Sequence, residues 1–292
     1  MNAGEKRAAL SGAVRCGELV VAPGVFEMIS AKIADGMGFG ALYMTGYGVA
    51  ASHLGVPDAG LASYGDVVER VRVIANGTDT PLICDADTGF GGLLNVRHTV
   101  RGFEQAGCAA VQIEDQVAPK KCGYTPDRRV IPAEEMVTKI RVALEAREDP
   151  NLLIIARTDA RTELSLEQAL DRGKAYARAG ADVVFVQAPE CAEELKRIGQ
   201  EIDSPLAANM GDGRTEPALS PAELSELGFE LVIYPGLGML ACAAALEASY
   251  GALREGAIPA GLAASLYARD QMHRLMGFED VWAFESRWLD AD

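Results

Sequence analysis

A short polar segment, Lys120–Tyr124, combines residue types that suit proton transfer. It holds two lysines, a cysteine, a glycine and a tyrosine, and it follows the apolar run Val111–Gln116 after three residues. A thiol between cations ionises more easily, so Cys122 is suited to moving a proton or attacking an electrophile. A solvated loop that carries a cysteine by chance is the alternative that the segment alone leaves open.

Three carboxylates, Asp85, Asp87 and Glu114, lie at the ends of two apolar runs. Asp85 and Asp87 share one face because side chains alternate along a strand. Oxygen ligands without imidazole suit Mg²⁺ or Mn²⁺, and the three histidines of the chain lack zinc-ligand spacing. The sequence therefore predicts a Mg²⁺ site, with Mn²⁺ as the other possible ion. Capping of turns by aspartate explains one such acid easily and three poorly.

Arg157 ends a further apolar run, Leu152–Asp159. A guanidinium at that place suits bidentate binding of a carboxylate. The alternative is a structural ion pair with Asp159 or Glu114. Polar groups end six of the apolar runs, which is more specific than any one of them: Tyr43–Gly46, Asp85–Asp87, Glu114–Asp115, Arg157–Asp159, Gln187 and Asn209.

The elements that must position these groups are eight short apolar runs separated by helical stretches. Unbroken Val, Ile, Leu and Ala are typical of strands buried on both faces of a parallel sheet. The predicted strands are Leu19–Val25, Gly40–Thr45, Pro81–Asp87, Ala109–Asp115, Leu152–Asp159, Ala181–Gln187, Pro205–Met210 and Leu231–Pro235. The predicted helices between and after them are Met28–Asp35, Tyr64–Ile74, Leu94–Ala106, Ala133–Glu148, Ser165–Ala179, Ala192–Glu201, Pro221–Leu227 and Met239–Arg254.

Eight strand–helix units in a chain of 292 residues predict an α/β fold, a closed (β/α)8 TIM barrel. An open doubly wound sheet is the alternative, although no G-x-G-x-x-G motif follows the first strand. Residues 1–255 are predicted to form the barrel and residues 256–292 a helical segment. That segment carries Phe278, Trp282, Phe284 and Trp288, which predicts a contact between subunits.

The charge of the chain excludes several classes of partner. A formal net charge of −15 and a pI of about 4.7 argue against nucleic acid and anionic membranes. No apolar run is long enough to span a membrane, and the first residues lack the core of a secretory signal. The six cysteines are scattered without a C-x-x-C pair, which predicts reduced thiols and a cytoplasmic protein.

Several motifs together resemble those of the isocitrate lyase/phosphoenolpyruvate mutase superfamily. They occur in the family's order between Val20 and Glu255: Gly55–Asp58, Asp85–Gly92, Ile113–Gln116, Lys120–Gly123, Ala156–Ala160 and Ala208–Met210. The resemblance implies a (β/α) barrel whose C-terminal helix is exchanged between neighbours, and a homotetramer.

The resemblance also implies roles for individual residues. Mg²⁺ would be held directly by Asp85, and through water by Asp87 and Glu114. Backbone amides at Thr45–Tyr47, with Arg157, would hold the substrate carboxylate. The remaining residues implied to contact substrate, or the loop over it, are Asp58, Lys121, Gly123, Tyr124, Gln187 and Asn209.

Cys122 places the resemblance in the carbon–carbon lyase branch, because the phosphonate mutases and hydrolases and the decarboxylases of the family lack it. The implied reaction is a retro-Claisen cleavage of the C2–C3 bond. Tyr43 takes the proton of the 2-hydroxyl, Lys120 stabilises the departing enediolate and Cys122 protonates it. The products are a 2-oxo acid such as pyruvate and a short carboxylic acid.

The chain departs from the lyase pattern at three positions that bear on the substrate. Tyr124 replaces a histidine, Gln187 replaces a glutamate, and Leu240 lies near an arginine that binds a distal carboxylate in 2-methylisocitrate lyases. A buried carboxylate without a cation is costly. Tyr47, where glycine is frequent, also reshapes the pocket. The expected substrate is therefore a substituted malate, such as 2,3-dimethylmalate.

Other activities remain open at this point. The same residues suit hydrolysis of oxaloacetate to oxalate and acetate, or a 2-methylisocitrate lyase with an unusual pocket. A barrel that binds a dicarboxylate without turning it over is a further alternative. A Schiff-base aldolase is disfavoured, because no predicted strand contains a lysine.

Overall fold

Eight parallel strands form one closed barrel in chain order, in a computed structural model that describes residues 1–123, 125–211, 217–256 and 259–289. Each strand lies inside one of the predicted runs, so the predicted α/β barrel is confirmed and the open sheet was wrong. The strands are β1 (Val20–Val25), β2 (Leu42–Met44), β3 (Leu82–Asp85), β4 (Ala110–Glu114), β5 (Leu153–Thr158), β6 (Val183–Val186), β7 (Leu206–Asn209) and β8 (Leu231–Tyr234).

Alternate residues of each strand face two different apolar clusters. In β5, Leu153 and Ile155 belong to the cluster inside the barrel, whereas Ile154 and Ala156 belong to the one between strands and helices. Burial on both sides explains why the strands appear in the sequence as unbroken apolar runs. The barrel interior is a packed core, so its polar groups collect at the strand ends.

Helices follow the strands as predicted, with ends shifted by a few residues. Those of the barrel are α1 (Ala3–Arg15), α2 (Met28–Asp35), α3 (Gly46–Val49), α4 (Tyr64–Gly77), α5 (Leu93–Ala106), α6 (Ala133–Ala146), α7 (Ala160–Glu163), α8 (Leu166–Arg178), α9 (Ala192–Glu201) and α10 (Pro221–Glu226). One π-helical turn, Ala50–Leu54, continues α3. The short helices α3 and α7 were not predicted.

Helix α1 was also not predicted, and its contacts explain why. Leu10 and Val14 pack in the interior cluster of the barrel, but two charged residues of the helix are buried as well. The Lys6 ammonium donates to the Ala75 carbonyl at 2.8 Å, and the Arg7 guanidinium donates to the Cys108 carbonyl at 3.0 Å. A helix that docks through charged side chains has only a weak apolar periodicity.

The chain divides into two compact units, Met1–Met239 and a second that begins at Leu240. The division lies inside helix α11 (Leu237–Arg254), while the domain boundary at residues 255/256 stays a prediction. Three further helices follow, α12 (Ala260–Ser265), α13 (Arg269–Leu275) and α14 (Phe278–Leu289), and none of the residues of α11–α14 is buried. Among the described helices, none is long and apolar enough to cross a membrane. All six cysteines lie among the described residues, and no disulfide joins any of them.

Candidate active site

A small cavity of about 70 Å³ lies where the strands of the barrel end. The polar groups at the ends of six strands converge there, as the strand pattern predicts. Its lining comprises Tyr43, Thr45, Tyr47, Asp58, Asp85, Glu114, Lys120, Lys121, Cys122, Gly123, Arg157, Gln187, Asn209, Ile233, Pro235, Gly236 and Met239. Ligand sites usually enclose hundreds of cubic ångströms, so this one suits a very small molecule.

Asp85 is the last residue of β3 and faces the cavity. Its Oδ1 accepts hydrogen bonds from the Asp87 amide at 3.1 Å and from Gln112 Nε2 at 3.4 Å. A Cβ at Gly46 would lie 3.0 Å from Asp85 Oδ2, so glycine allows this close approach without displacing the carboxylate. Asp85 thus keeps one oxygen turned toward Gly46, at the end of β2.

Asp87 lies just outside the cavity lining and faces an adjoining cleft. Its backbone is left-handed, with φ of 48°, so the chain turns sharply after β3. Burial raises the pKa of Asp87 to about 6, against the opposing effect of Lys120 and with the help of Asp85. The charges of Asp85 and Asp58 contribute to this rise, so a positive charge near these carboxylates is favoured.

Glu114 ends β4 and is almost fully buried. One of its oxygens, Oε1, has no hydrogen-bond partner among the described residues, while Oε2 lies 3.4 Å from Arg157 Nη1. Burial raises the pKa of Glu114 well above its ordinary value, although Arg157 opposes the change. An unpartnered buried carboxylate oxygen is costly unless something binds it.

Arg157 makes the structural ion pairs that the sequence left open. Its Nε and Nη2 donate to the two carboxylate oxygens of Asp159 at 2.9 and 2.8 Å, and the guanidinium also lies over the ring of Phe185. Nη1 faces Glu114 and the cavity. The two hydrogen bonds from Arg157 to Asp159 therefore fix the orientation of the guanidinium, and with it the direction in which Nη1 points toward a ligand.

Lys120 is buried between two carboxylates. Its Nζ lies 2.5 Å from Asp58 Oδ1 and 2.9 Å from Asp87 Oδ1. Burial lowers the pKa of Lys120, but the neighbouring carboxylates, Asp87 first, raise it well above the ordinary value. Lys120 is thus a fixed positive charge at the edge of the acid cluster.

The turn that carries Cys122 is pinned by backbone contacts. The Gln116 side chain makes two hydrogen bonds of 2.9 Å, to the amide and the carbonyl of Lys121. The Cys122 amide donates to the Asp58 carbonyl at 2.9 Å. Lys121 Nζ reaches the Asp127 carbonyl at 3.0 Å, and Tyr124 lies outside the described residues. The cysteine is held at the mouth of the cavity.

Tyr43 and the segment after it form another part of the lining. Tyr43 is buried in the interior cluster, and burial together with the Asp85 charge raises the pKa of its hydroxyl well above the ordinary value. Thr45 precedes α3, whose first amides have no partner inside the helix. Tyr47 is exposed at the rim.

Gln187 and Asn209 lie together at the ends of β6 and β7. Asn209 Nδ2 donates to Gln187 Oε1 at 3.4 Å, and Gln187 Nε2 has no partner among the described residues. Gly123 lies so close to this amide and to the Arg157 guanidinium that a Cβ there would be 2.5 Å from Arg157 Nη2. Gln187 therefore presents a free donor to the cavity.

An apolar wall completes the cavity and was missed from the sequence. It consists of Ile233, Pro235 and Met239, at the end of β8 and in the first turn of α11. The predicted strand Leu231–Pro235 was a usable signal, because the ends of six other strands line the same cavity. Leu240, the position weighed for a distal cation, is not part of the lining; its neighbour Met239 is.

The charges of the lining indicate what the site can bind. The three cations of the lining, Lys120, Lys121 and Arg157, balance its three acids, Asp58, Asp85 and Glu114. A dicarboxylate ligand therefore needs two further positive charges. Among the described residues, no three acid, imidazole or thiol side chains lie close enough together to ligate one ion directly. The oxygen donors fit an ion such as Mg²⁺, which keeps waters and takes one or two carboxylates.

Comparisons with known proteins identify the family of the chain. The family model for phosphoenolpyruvate phosphomutase matches residues 14–254. The 2,3-dimethylmalate lyase of Eubacterium barkeri is 43% identical over 271 residues, 93% of this chain and 94% of the relative. The 2-methylisocitrate lyase of Aeropyrum pernix is 39% identical over 263 residues, 90% of this chain and 84% of the relative.

A solved structure of phosphonopyruvate hydrolase in complex with oxalate and Mg²⁺ shares the fold. It has a TM-score of 0.88 and 30% identity, and the match covers 99% of this chain and 100% of that one. The resemblance predicted from the motifs is therefore confirmed. The chain belongs to the isocitrate lyase/phosphoenolpyruvate mutase superfamily, and relatives that are lyases match it over nearly its whole length.

Proposed function

We propose that the protein is a Mg²⁺-dependent carbon–carbon lyase that cleaves a substituted malate, such as 2,3-dimethylmalate, into pyruvate and a short carboxylic acid. The observation that carries the proposal is the Cys122 turn, which lies over a cavity of about 70 Å³ lined by Asp85, Glu114 and Arg157. The identity of 43% with a 2,3-dimethylmalate lyase supports the same substrate class.

Asp85 would hold Mg²⁺ directly, and Asp87 and Glu114 would hold it through water. The unpartnered Oε1 of Glu114 supports this arrangement, and so does the charge balance of the lining. When bound, the ion supplies Lewis-acid polarisation and positive charge against which a dianion can bind. Mn²⁺ would satisfy the same oxygen donors.

The side chains divide the remaining work. Arg157 Nη1 and the amides after Thr45 bind and orient the substrate carboxylate. In the reaction the 2-hydroxyl loses its proton, the C2–C3 bond breaks, and C3 gains a proton. Cys122 delivers that proton, and Lys120 offsets the negative charge that develops on the departing half. Tyr43 is the base in its phenolate form, which the charge of a bound Mg²⁺ would favour by offsetting the Asp85 charge that, along with burial, raises the pKa of Tyr43. A positioned acid or base contributes roughly 10²–10⁴ in rate.

The size and polarity of the lining favour the smaller substrates of the family. Ile233, Pro235 and Met239 offer apolar contact to an alkyl substituent but no charge for a third carboxylate. Lys120 and Arg157, two of the lining cations, already pair with carboxylates of the protein. An additional carboxylate would be buried without a cation, which is costly.

A second candidate is 2-methylisocitrate lyase, because a relative with that activity is 39% identical. Oxaloacetate hydrolysis needs the same site with water as the attacking group, so it belongs in the same experiment. Both lyase activities release pyruvate and are separated by the substrate that supplies it, whereas oxaloacetate hydrolysis releases oxalate and acetate.

The deciding experiment is a coupled assay that follows NADH as lactate dehydrogenase reduces the released pyruvate. The substrates are 2,3-dimethylmalate, 2-methylmalate, 2-methylisocitrate and oxaloacetate, each with Mg²⁺ and with excess EDTA, and oxalate is measured separately. We expect pyruvate from the alkylmalates, loss of activity with EDTA, and a fall of at least about 100-fold in Cys122→Ser.

A matched variant, Cys191→Ser, replaces an exposed thiol and should keep full activity. Faster turnover of 2-methylisocitrate than of the alkylmalates would replace the proposed substrate by the second candidate. Oxalate and acetate from oxaloacetate, with no pyruvate from the alkylmalates, would mean hydrolysis. Mg²⁺-dependent binding of oxalate without turnover of any substrate would leave a binding protein.

We further infer that the protein is a cytoplasmic homotetramer built through its C-terminal helices, which are exchanged between subunits. The exposed aromatic residues of α14 support an assembly, because apolar faces of this kind usually mark a contact. Six cysteines without a disulfide support a reducing compartment.

A further inference from the structure

Arg128 is a buried arginine that no step of the proposed reaction uses. It lies six residues beyond Cys122, in the segment that returns from the cysteine turn toward α6, and its side chain is 4% exposed. The next residue, Arg129, is exposed to solvent. A guanidinium is rarely buried unless it is paired, so the contacts of Arg128 indicate what it holds.

Three contacts of Arg128 join the cysteine turn to the barrel. Its Nη1 donates to the Cys122 carbonyl at 3.4 Å, and its Nη2 donates to the hydroxyl of Thr162 in α7. Its Nε lies 3.6 Å from Asp159 Oδ1. The Cys122 carbonyl also accepts from the amide and hydroxyl of Thr125, at 3.0 and 2.8 Å. One side chain therefore spans the turn, a helix and a strand end.

Asp159 is the rigid end of this connection. Both of its oxygens already accept from Arg157, and its amide donates to Asp115 Oδ1 at 2.9 Å. Asp115 is held in turn by Arg172 and Tyr176, at 2.9 and 2.7 Å. Asp159 thus contacts the guanidinium that faces the cavity on one side and Arg128 on the other.

The two ends of the segment are fixed independently of Arg128. At its base, the Val117 amide donates to the Arg129 carbonyl at 2.7 Å, and the Ile131 amide donates to the Asp115 carbonyl at 2.8 Å. Gln116 holds Lys121 on the near side of the turn. The Cys122 amide is held by the Asp58 carbonyl, and Arg128 adds a charged contact at the Cys122 carbonyl, on the side of α7 and Asp159.

We propose that Arg128 is a positioning residue, which sets the place of Cys122 over the cavity by tying the Cys122 carbonyl to Asp159 and Thr162. Without the guanidinium, the base of the segment and the bonds of Lys121 and the Cys122 amide stay in place, while the Cys122 carbonyl loses its connection to Asp159 and Thr162. Cys122 then leaves its place over the cavity for part of the time and is more accessible to solvent. The proposal deepens the proposed function and rests on it for the turnover measurement alone.

The test compares Arg128→Met with Arg129→Met, a change of the same type one residue away. The readout is the rate at which iodoacetamide alkylates each cysteine of the full-length protein with Mg²⁺, followed by mass spectrometry of the peptides. We expect Cys122 to react about tenfold faster in Arg128→Met, as loss of one charge-assisted hydrogen bond implies, and unchanged in Arg129→Met. Arg128→Lys should fall between them, because it keeps the charge without the fork.

The direction of the change separates position from charge. Removing a cation near a thiol lowers the thiolate fraction, which slows alkylation. A faster reaction at Cys122 must therefore come from greater access. An unchanged or slower rate would overturn the proposal.

Two buried thiols report on general loosening of the barrel. Cys84 and Cys108 are fully buried in the core and should stay unreactive in Arg128→Met. Reaction of both in parallel with Cys122 would mean a merely structural role and would overturn the proposal. In the pyruvate assay we expect kcat to fall about tenfold or more and KM to change less. If no variant turns over any substrate, the proposed function fails, while the alkylation rates still decide the role of Arg128.

Discussion

The side chain of Gln187 shows how a single residue can tune this site. Its Oε1 accepts from Asn209, so its Nε2 is the group presented to the cavity, and that donor is unpartnered among the described residues. A buried amide donor without a partner costs free energy that a ligand oxygen restores. We infer that Gln187 donates a hydrogen bond to the substrate.

A charge at this position should weaken binding of an anionic substrate. Gln187→Glu replaces the donor by an acceptor near Glu114 and Asp85 in a lining whose charges are otherwise balanced. We expect KM for 2,3-dimethylmalate to rise at least about tenfold, with a smaller change in kcat, since a buried charged contact is worth more than 1.4 kcal/mol. Steady-state kinetics measure both constants.

The matched control is Gln168→Glu, which makes the same change on the exposed surface of α8 and should leave KM unaltered. A KM for Gln187→Glu within twofold of the wild type would mean that Gln187 does not contact the substrate.

At this scale the sequence predicted residue types better than their partners. Asp85, Glu114 and Arg157 were found because a charged group at the end of an apolar strand is unusual. The pairing of Lys120 with Asp58 was not predicted, because 62 positions separate them in the chain and only the closed barrel brings them together. The apolar wall around Ile233 was missed because aliphatic residues carry no chemical signature.

The strands were predicted well for a physical reason. Parallel strands of a barrel are buried on both faces, so each appears as an unbroken apolar run between helices. Helix α1 and the short helices α3 and α7 lacked such a signal, because α1 docks partly through Lys6 and Arg7 and the other two are single turns. Elements positioned by polar contacts with the rest of the fold are not visible in local periodicity.

One strand junction should respond to pH in a predictable direction. Glu230, just before β8, accepts from the Leu206 amide at 2.8 Å and also pairs with Leu206 and Val20 through its backbone. Burial raises the pKa of Glu230, and the hydrogen bond from Leu206 opposes this only in part. The folded protein therefore binds this proton more tightly than the unfolded chain does. The stability gained in this way is present below the unfolded pKa of about 4.3 and is lost as the pH rises through the higher folded pKa.

Glu230→Gln removes the charge and keeps an acceptor for the Leu206 amide. We expect the variant to be more stable than the wild type at pH 7.5, by less than about 1 kcal/mol because the side chain is only half-buried and water screens it. The advantage should shrink toward pH 4.5. Thermal midpoints at both pH values measure this, with the exposed Glu226→Gln as control. A variant less stable than the wild type at pH 7.5 would show that the charged hydrogen bond outweighs burial.

At the scale of the whole molecule, the barrel and the C-terminal helices differ in what holds them together. The barrel has two apolar clusters of buried side chains, whereas no residue of α11–α14 is buried. The number of strand–helix units predicted the barrel from sequence. The dense aromatic residues predicted a contact for the last helices. Their number and the division at Leu240 were not predicted, because helices that bury no face within this chain show no clear apolar periodicity.

The exposed aromatic face of α14 predicts the behaviour of the protein in solution. Phe284 and Trp288 are more than half exposed, and their rings lie 6.4 Å apart. Burial of such apolar area contributes about 25 cal/mol per Å², so we expect copies of the chain to associate through it.

Sedimentation equilibrium at micromolar concentration should give a mass near four times the 30.9 kDa of one chain. The double variant Phe284→Glu, Trp288→Glu should give a smaller assembly with its barrel still folded by circular dichroism, and Arg287→Ser on the same helix should remain assembled. A wild-type protein that sediments as a single chain would contradict the expectation, and the exposed rings would then need a partner of another kind.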